Sequence, residues 1–196
     1  RTDAAAFGVA NYLVKPVDVA DPAVGEAVED WARTPGAVGV RILVYESRPM
    51  APTDPGLNRA VAAAARASLP VNIACVGNLD LAAALARAHP DCRLVIDHLG
   101  LRQPMGAGWL ADPFARLPEV LDLARFDNVA IKVSGVCTLS EEAYPFSDIW
   151  APLWRVFDAY GFERCLWGTD WTRAVDFLSF RGGVDAFRCN ERLTEG

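Results

Sequence analysis

Histidine is scarce in this chain, no cysteine pair stands at metal-binding spacing and basic charge is not in excess. Each shortage closes off a class of function. Only two histidines are present, His89 and His98, and no His-x-His pair occurs. A site built from several histidines therefore cannot come from these residues alone. The five cysteines (Cys75, Cys92, Cys137, Cys165 and Cys189) are odd in number and lack any Cys-x-x-Cys pair. Most sit in apolar runs, which suits buried thiols of a reducing cytoplasm and not a disulfide framework. Lysine and arginine total 19 against 25 aspartates and glutamates, giving a net charge of −6 and a sequence pI near 4.9. That balance argues against nucleic acid and against acidic membrane faces, leaving small-molecule chemistry. No stretch approaches the roughly 20 uninterrupted apolar residues of a membrane span. The opening Arg1-Thr2-Asp3-Ala4 lacks the pattern of a signal peptide.

What the chain does have is apolar residues, 52% of 196, enough for one domain over residues 1–196 with a real core. Strand-like runs are expected at Phe7 to Val14, Val38 to Val44, Val71 to Val76, Arg93 to Asp97, Val129 to Ser134 and Arg164 to Thr169. Helical stretches alternate with them at Ala23 to Arg33, Asp54 to Ser68, Leu79 to Ala88, Pro113 to Arg125 and Ser147 to Tyr160, with a shorter pair after Asp170. Asp54 before Pro55 is a good N-cap with proline at the first helical position. Thr34-Pro35-Gly36, His89-Pro90-Asp91 and Phe126-Asp127-Asn128 punctuate the series. This alternation predicts an α/β fold, a parallel sheet of about six strands covered by helices. An open flavodoxin-like sheet is the alternative to a barrel, but no glycine-rich phosphate loop follows the first strand.

Two strand endings stand out: Leu94-Val95-Ile96-Asp97-His98-Leu99-Gly100 and Cys165-Leu166-Trp167-Gly168-Thr169-Asp170-Trp171. Each is an apolar run that stops on an ionisable side chain and enters a loop, as barrel enzymes present catalytic groups. Strand phase supports the barrel, because polar residues from several strands fall on a common face. His98 is in phase with Leu94 and Ile96, Asp170 with Leu166 and Gly168, Ser134 with Lys132 and Ala130, Asn72 with Ala74, and Tyr45 with Arg41 and Leu43. A charge such as Arg41 in mid-strand is costly unless it is paired or faces a wet cavity.

The segments Val95 to Gly100, Asn128 to Gly135 and Leu166 to Trp171 resemble the amidohydrolase superfamily, in its amidohydrolase-related branch of barrel enzymes. That branch includes hydrolases of sugar lactones and pyrone dicarboxylates, and some decarboxylases. The resemblance implies a partial TIM (β/α)8 barrel carrying family strands 3 to 8 with outer helices. Family members close eight strands, the first ending in His-x-His, and continue past the point where this chain stops. The chain is accordingly expected to be a fragment, whose two open edges would favour homo-oligomers.

The resemblance assigns Asp170 as the general base that activates water for attack on a carbonyl; the bland alternative is a helix N-cap. It assigns His98 to substrate or metal, against a satisfied core histidine. Arg41 and Lys132 are candidates for binding a substrate carboxylate or hydroxyl, with a buried ion pair as the equal alternative. Ser134 and Asn72 are candidate donors to substrate, against structural hydrogen bonding, and Tyr45 and Trp171 candidate pocket walls, against ordinary packing. Asp97 is assigned to structure, and His89 to an exposed helix end without a role. The stretch Arg102 to Trp109 suits either a lid or an ordinary surface loop.

Zinc-dependent relatives add a histidine from the strand corresponding to Val71 to Val76, where this chain has none, and Cys75 is out of phase with the pocket side. No cofactor is therefore expected, with zinc held by His98 and Asp170 as the alternative. The expected reaction is hydrolysis of a lactone or cyclic ester of a small carboxylated or sugar-derived substrate. A metal-dependent decarboxylase and an inactive structural fragment are the rivals.

Overall fold

A computed structural model of the chain describes residues 13–44, 46–105 and 111–194. The chain divides into two compact units, Arg1–Val95 and Ile96–Gly196. The first holds strands β1 (Leu13–Pro16), β2 (Ala37–Leu43) and β3 (Val71–Ala74), and helices α1 (Val24–Ala32), α2 (Pro55–Arg66) and α3 (Leu79–Ala88). Its strands run parallel, with Pro16 opposite Arg41 and Arg41 opposite Asn72. Val71 N–H donates to the Arg93 carbonyl at 2.9 Å, which leads the ladder on to the next strand, β4 (Leu94–Ile96).

Helix α2 shows how local chemistry sets the elements. Asp54 Oδ1 accepts from Leu57 N–H at 2.8 Å, and Pro55 follows the cap directly. Leu57, Ala60, Val61 and Ala64 then form the buried stripe that 3.6-residue periodicity requires. Close to the cap, Gly56 has no substitute, because a Cβ would collide with the Val19 carbonyl.

The second unit holds the end of β4, then α4 (Leu117–Asp122), β5 (Val129–Ser134), α5 (Trp150–Tyr160), β6 (Cys165–Gly168), α6 (Trp171–Ala174), α7 (Phe180–Arg188) and α8 (Glu191–Thr194). β5 has the expected bounds. It pairs in parallel with β6, Ser134 opposite Gly168. Val129, Ile131 and Val133 are fully buried on one face, while Lys132 on the other is the one half-buried residue of the strand.

Several bounds move. The first expected strand begins at Leu13 among the described residues, since 1–12 lie outside them. Helices expected at Pro113 and Ser147 begin later, at Leu117 and Trp150, the latter preceded by a 3-10 turn. β6 is less buried than its apolar sequence suggests, with Leu166 and Trp167 each nearly half exposed. Among the described residues of its unit it has one strand neighbour, so its other edge contributes no cover. No helix among the described residues is long and apolar enough to cross a membrane.

Candidate active site

In the second unit, three successive strand ends turn through left-handed backbone. After β4 it is His98 (φ 51°) and Leu99 (φ 60°), after β5 Gly135 (φ 67°), and after β6 Asp170 (φ 50°). For residues with a Cβ this conformation costs about 1–3 kcal/mol each, and such strain gathers at functional sites. Here it corrects the phase argument from sequence. β4 stops at Ile96 and β6 at Gly168, so neither His98 nor Asp170 stands on a strand face. Turns deliver both side chains.

The turns bring His98, Ser134 and Asp170 together. His98 Nδ1 lies 2.9 Å from Ser134 Oγ and 3.7 Å from Asp170 Oδ2. Asp170 occupies the N-cap position of α6, yet its carboxylate makes no capping hydrogen bond. It accepts from Arg173 Nε at 2.7 Å instead, through the same Oδ2. Oδ1 has no partner among the described residues. Asp170 and His98 keep 16% and 22% of their side chains exposed, so a small molecule can reach both. A carboxylate with one oxygen anchored and the other open can take a proton from water. An imidazole beside it can polarise a carbonyl.

Lys132 and Asp97 form a second ion pair beneath the first turn, with Nζ 2.9 Å from Oδ1. Asp97 is 1% exposed and Lys132 29%, so the contact matches the ion-pair alternative that the sequence leaves open for Lys132 beside substrate binding. Arg41 and Asn72 lie in the first unit, facing one another across the β2–β3 ladder. Asn72 is buried and donates from Nδ2 to the Val40 carbonyl at 3.4 Å. Tyr45 lies outside the described residues. Trp171 packs edge-on against Phe180, with ring centres 5.2 Å apart. Of the expected loop after β4, residues 106–109 lie outside the described residues.

His89 is not the bare helix-end residue expected. It is half-buried, and Nε2 lies 2.8 Å from Asn58 Oδ1. Cys92, Cys137 and Cys165 are not poised as nucleophiles. Burial pushes the Cys137 thiol up to about 12 and those of Cys92 and Cys165 up to about 11, so all three stay protonated at neutral pH.

Arg173 is the residue that sequence reasoning missed. Its signal was present as Asp170-Trp171-Thr172-Arg173, an acid and a base three residues apart. On any helix surface that spacing is commonplace and weak, and only the structure shows the Arg173 side chain to be 13% exposed.

These observations can be set beside known proteins. The model of one family, Amidohydrolase, matches residues 4–189. The chain belongs to the amidohydrolase family. Over 90 residues it is 36% identical to 4-sulfomuconolactone hydrolase of Rhizobium radiobacter, a stretch covering 46% of this chain and 28% of that enzyme. Over 91 residues it is 37% identical to L-fucono-1,5-lactonase of Burkholderia ambifaria, covering 45% and 29%. The matched stretches thus span less than a third of either relative. A solved amidohydrolase from Burkholderia multivorans with bound zinc aligns with a TM-score of 0.73 at 22% identity, over 94% of this chain and 66% of that one. This likeness concerns the fold, and it agrees with the partial barrel of parallel strands expected from sequence.

Zinc in that neighbour asks whether the residues here suit a metal. Among the described residues no group of three or more histidines, cysteines and acids stands together. His98 and Asp170 supply two donors where catalytic zinc takes three from protein, and the Arg173 cation already sits on Asp170 Oδ2. These residues by themselves do not fit a zinc site.

Proposed function

We propose that this amidohydrolase hydrolyses a lactone, with Asp170 as the general base and His98 facing the carbonyl. Asp170 Oδ1 takes a proton from water as the water attacks the lactone carbonyl. A tetrahedral species forms, the ring C–O bond breaks, and the proton passes to the departing alkoxide. His98, oriented by Ser134, stabilises the oxygen that gains charge. The observation that carries this reading is the carboxylate at an N-cap that does not cap, turned instead toward His98 with one oxygen open. Two relatives named as lactone hydrolases support the substrate class, a small molecule. In the second unit, Ser134 and Lys132 remain the candidates to orient it.

We read the reaction as independent of metal, supported by the two-donor set and by the cation on Asp170 Oδ2. The cysteines, none of them in a disulfide, support a reducing, cytoplasmic setting. The experiment is Asp170→Asn in the full-length protein, assayed on a panel of five- and six-membered lactones. Turnover is expected to fall about 1,000-fold with KM within a few-fold. Unchanged turnover refutes the base. Carbon dioxide release, or activity lost to a chelator and restored by zinc, would favour a metal-dependent decarboxylase instead.

A further inference from the structure

We propose that Arg173 is the positioning residue of this site, fixing the Asp170 carboxylate and the His98 turn at once without touching substrate. The proposal rests on the reading of Asp170 as the base. A guanidinium carries five N–H donors in a rigid planar fork. Here five protein acceptors surround it. Nε donates to Asp170 Oδ2 at 2.7 Å, Nη1 to Thr138 Oγ1 at 2.8 Å and the Pro104 carbonyl at 3.3 Å, and Nη2 to Gln103 Oε1 at 2.9 Å and the Gly135 carbonyl at 3.4 Å. No donor is left over for a substrate carboxylate, which is the usual employment of an arginine beside a catalytic acid.

The acceptors come from the segments after β4, β5 and β6, so one side chain ties together the strand ends that carry the site. Gln103 extends the link, since its Nε2 donates to the His98 carbonyl at 3.2 Å and to that of Leu101 at 3.3 Å. Arg173 therefore holds Asp170 directly and the His98 backbone through one intermediary. The backbone makes room for this arrangement. Gly135 sits in the left-handed region, and a Cβ there would collide with Arg173 Nη2 and come within 3.0 Å of Asp170 Cβ. Lysine, with three donors on a flexible stem, could not satisfy the same acceptors.

The test uses the full-length protein and a lactone that it hydrolyses. Arg173→Ala is expected to lower kcat about 50-fold with KM within about threefold, because substrate contacts are intact while the base is unplaced. Arg173→Lys should recover less than a tenth of the loss, and millimolar guanidinium ion should restore Arg173→Ala several-fold. A rise in KM with kcat unchanged would make Arg173 a substrate ligand and overturn the proposal. Wild-type kcat in Arg173→Ala, or full rescue by lysine, would overturn it as well. If Asp170→Asn is inactive while Arg173→Ala is not, this proposal alone fails. If Asp170→Asn is fully active, the base reading fails first. Should Arg173→Ala not fold, Gln103→Ala serves in its place, with kcat expected to fall about fivefold and an unchanged kcat counting against the proposal.

Discussion

The chain's two histidines have opposite surroundings. His89 ends α3 in the first unit, and its Nε2 meets the amide oxygen of Asn58. That amide is itself fixed, because Asn58 Nδ2 donates to the carbonyls of Pro52 and Asp54, both at 2.8 Å. Its oxygen can only accept, so His89 Nε2 must carry a proton and donate. This partner is neutral, and a neutral imidazole satisfies it. His98 instead faces a hydroxyl that can give or take a proton and a carboxylate that can hold charge. Residue type is the same in both places. The partners decide which histidine is built to pack and which to work.

The largest effect that would break this contrast is on activity. His98→Gln in the full-length protein is expected to lower lactone turnover about 100-fold, and His89→Gln to leave it within twofold. Equal losses, measured as initial rates on the folded proteins, would erase the distinction.

Next in size is the support beneath His98. The turn that presents it begins at Asp97, whose buried carboxylate is held by Lys132. Removing one partner of a buried pair leaves an uncompensated charge, so Lys132→Met should lower stability by about 3 kcal/mol in denaturant titrations. At His89 the corresponding contact is to a neutral amide, and Asn58→Ala should cost about 1 kcal/mol, the loss of a neutral hydrogen bond. A Lys132→Met variant as stable as the parent would show that the two histidines rest on equivalent foundations. A KM raised many-fold at full stability would return Lys132 to the role of substrate ligand.

How far this contrast was legible in the sequence depends on the kind of force that sets each part. Burial and periodicity are local and read well: β5 keeps its expected bounds, and Asp54 caps α2 as its sequence suggests. Convergence of His98, Ser134 and Asp170 is foreseeable from strand ends, but strand alternation is not its physical cause. Left-handed turns at His98 and Asp170 place them, and neither residue type announces that conformation as glycine does at Gly135. The Arg173 network was out of reach because its acceptors at Gln103, Pro104, Gly135 and Thr138 are distant in sequence and three of the five are backbone or amide oxygens. Nothing in Asn58 or His89 signalled their bond across 31 residues, so a helix-end histidine before proline looked exposed.

The smallest effect follows from burial alone. Partial burial lowers the His89 pKa below its ordinary value of about 6.5, because a charged imidazole loses hydration there. Between the lowered value and 6.5 the unfolded chain binds more protons at this residue than the folded one, so stability falls as pH drops through that window. Above pH 6.5 the contribution is fully present, and below the folded pKa the loss is complete and the slope vanishes. His89→Gln keeps a donor for Asn58 but cannot titrate, so its stability should lack this component between neutral pH and pH 5. The comparison is the difference between parent and variant unfolding free energies across that range, in which titrating carboxylates common to both cancel. A difference that stays flat would mean that His89 is as hydrated in the folded chain as in the unfolded one, and the first histidine would then have no distinct environment to set against the second.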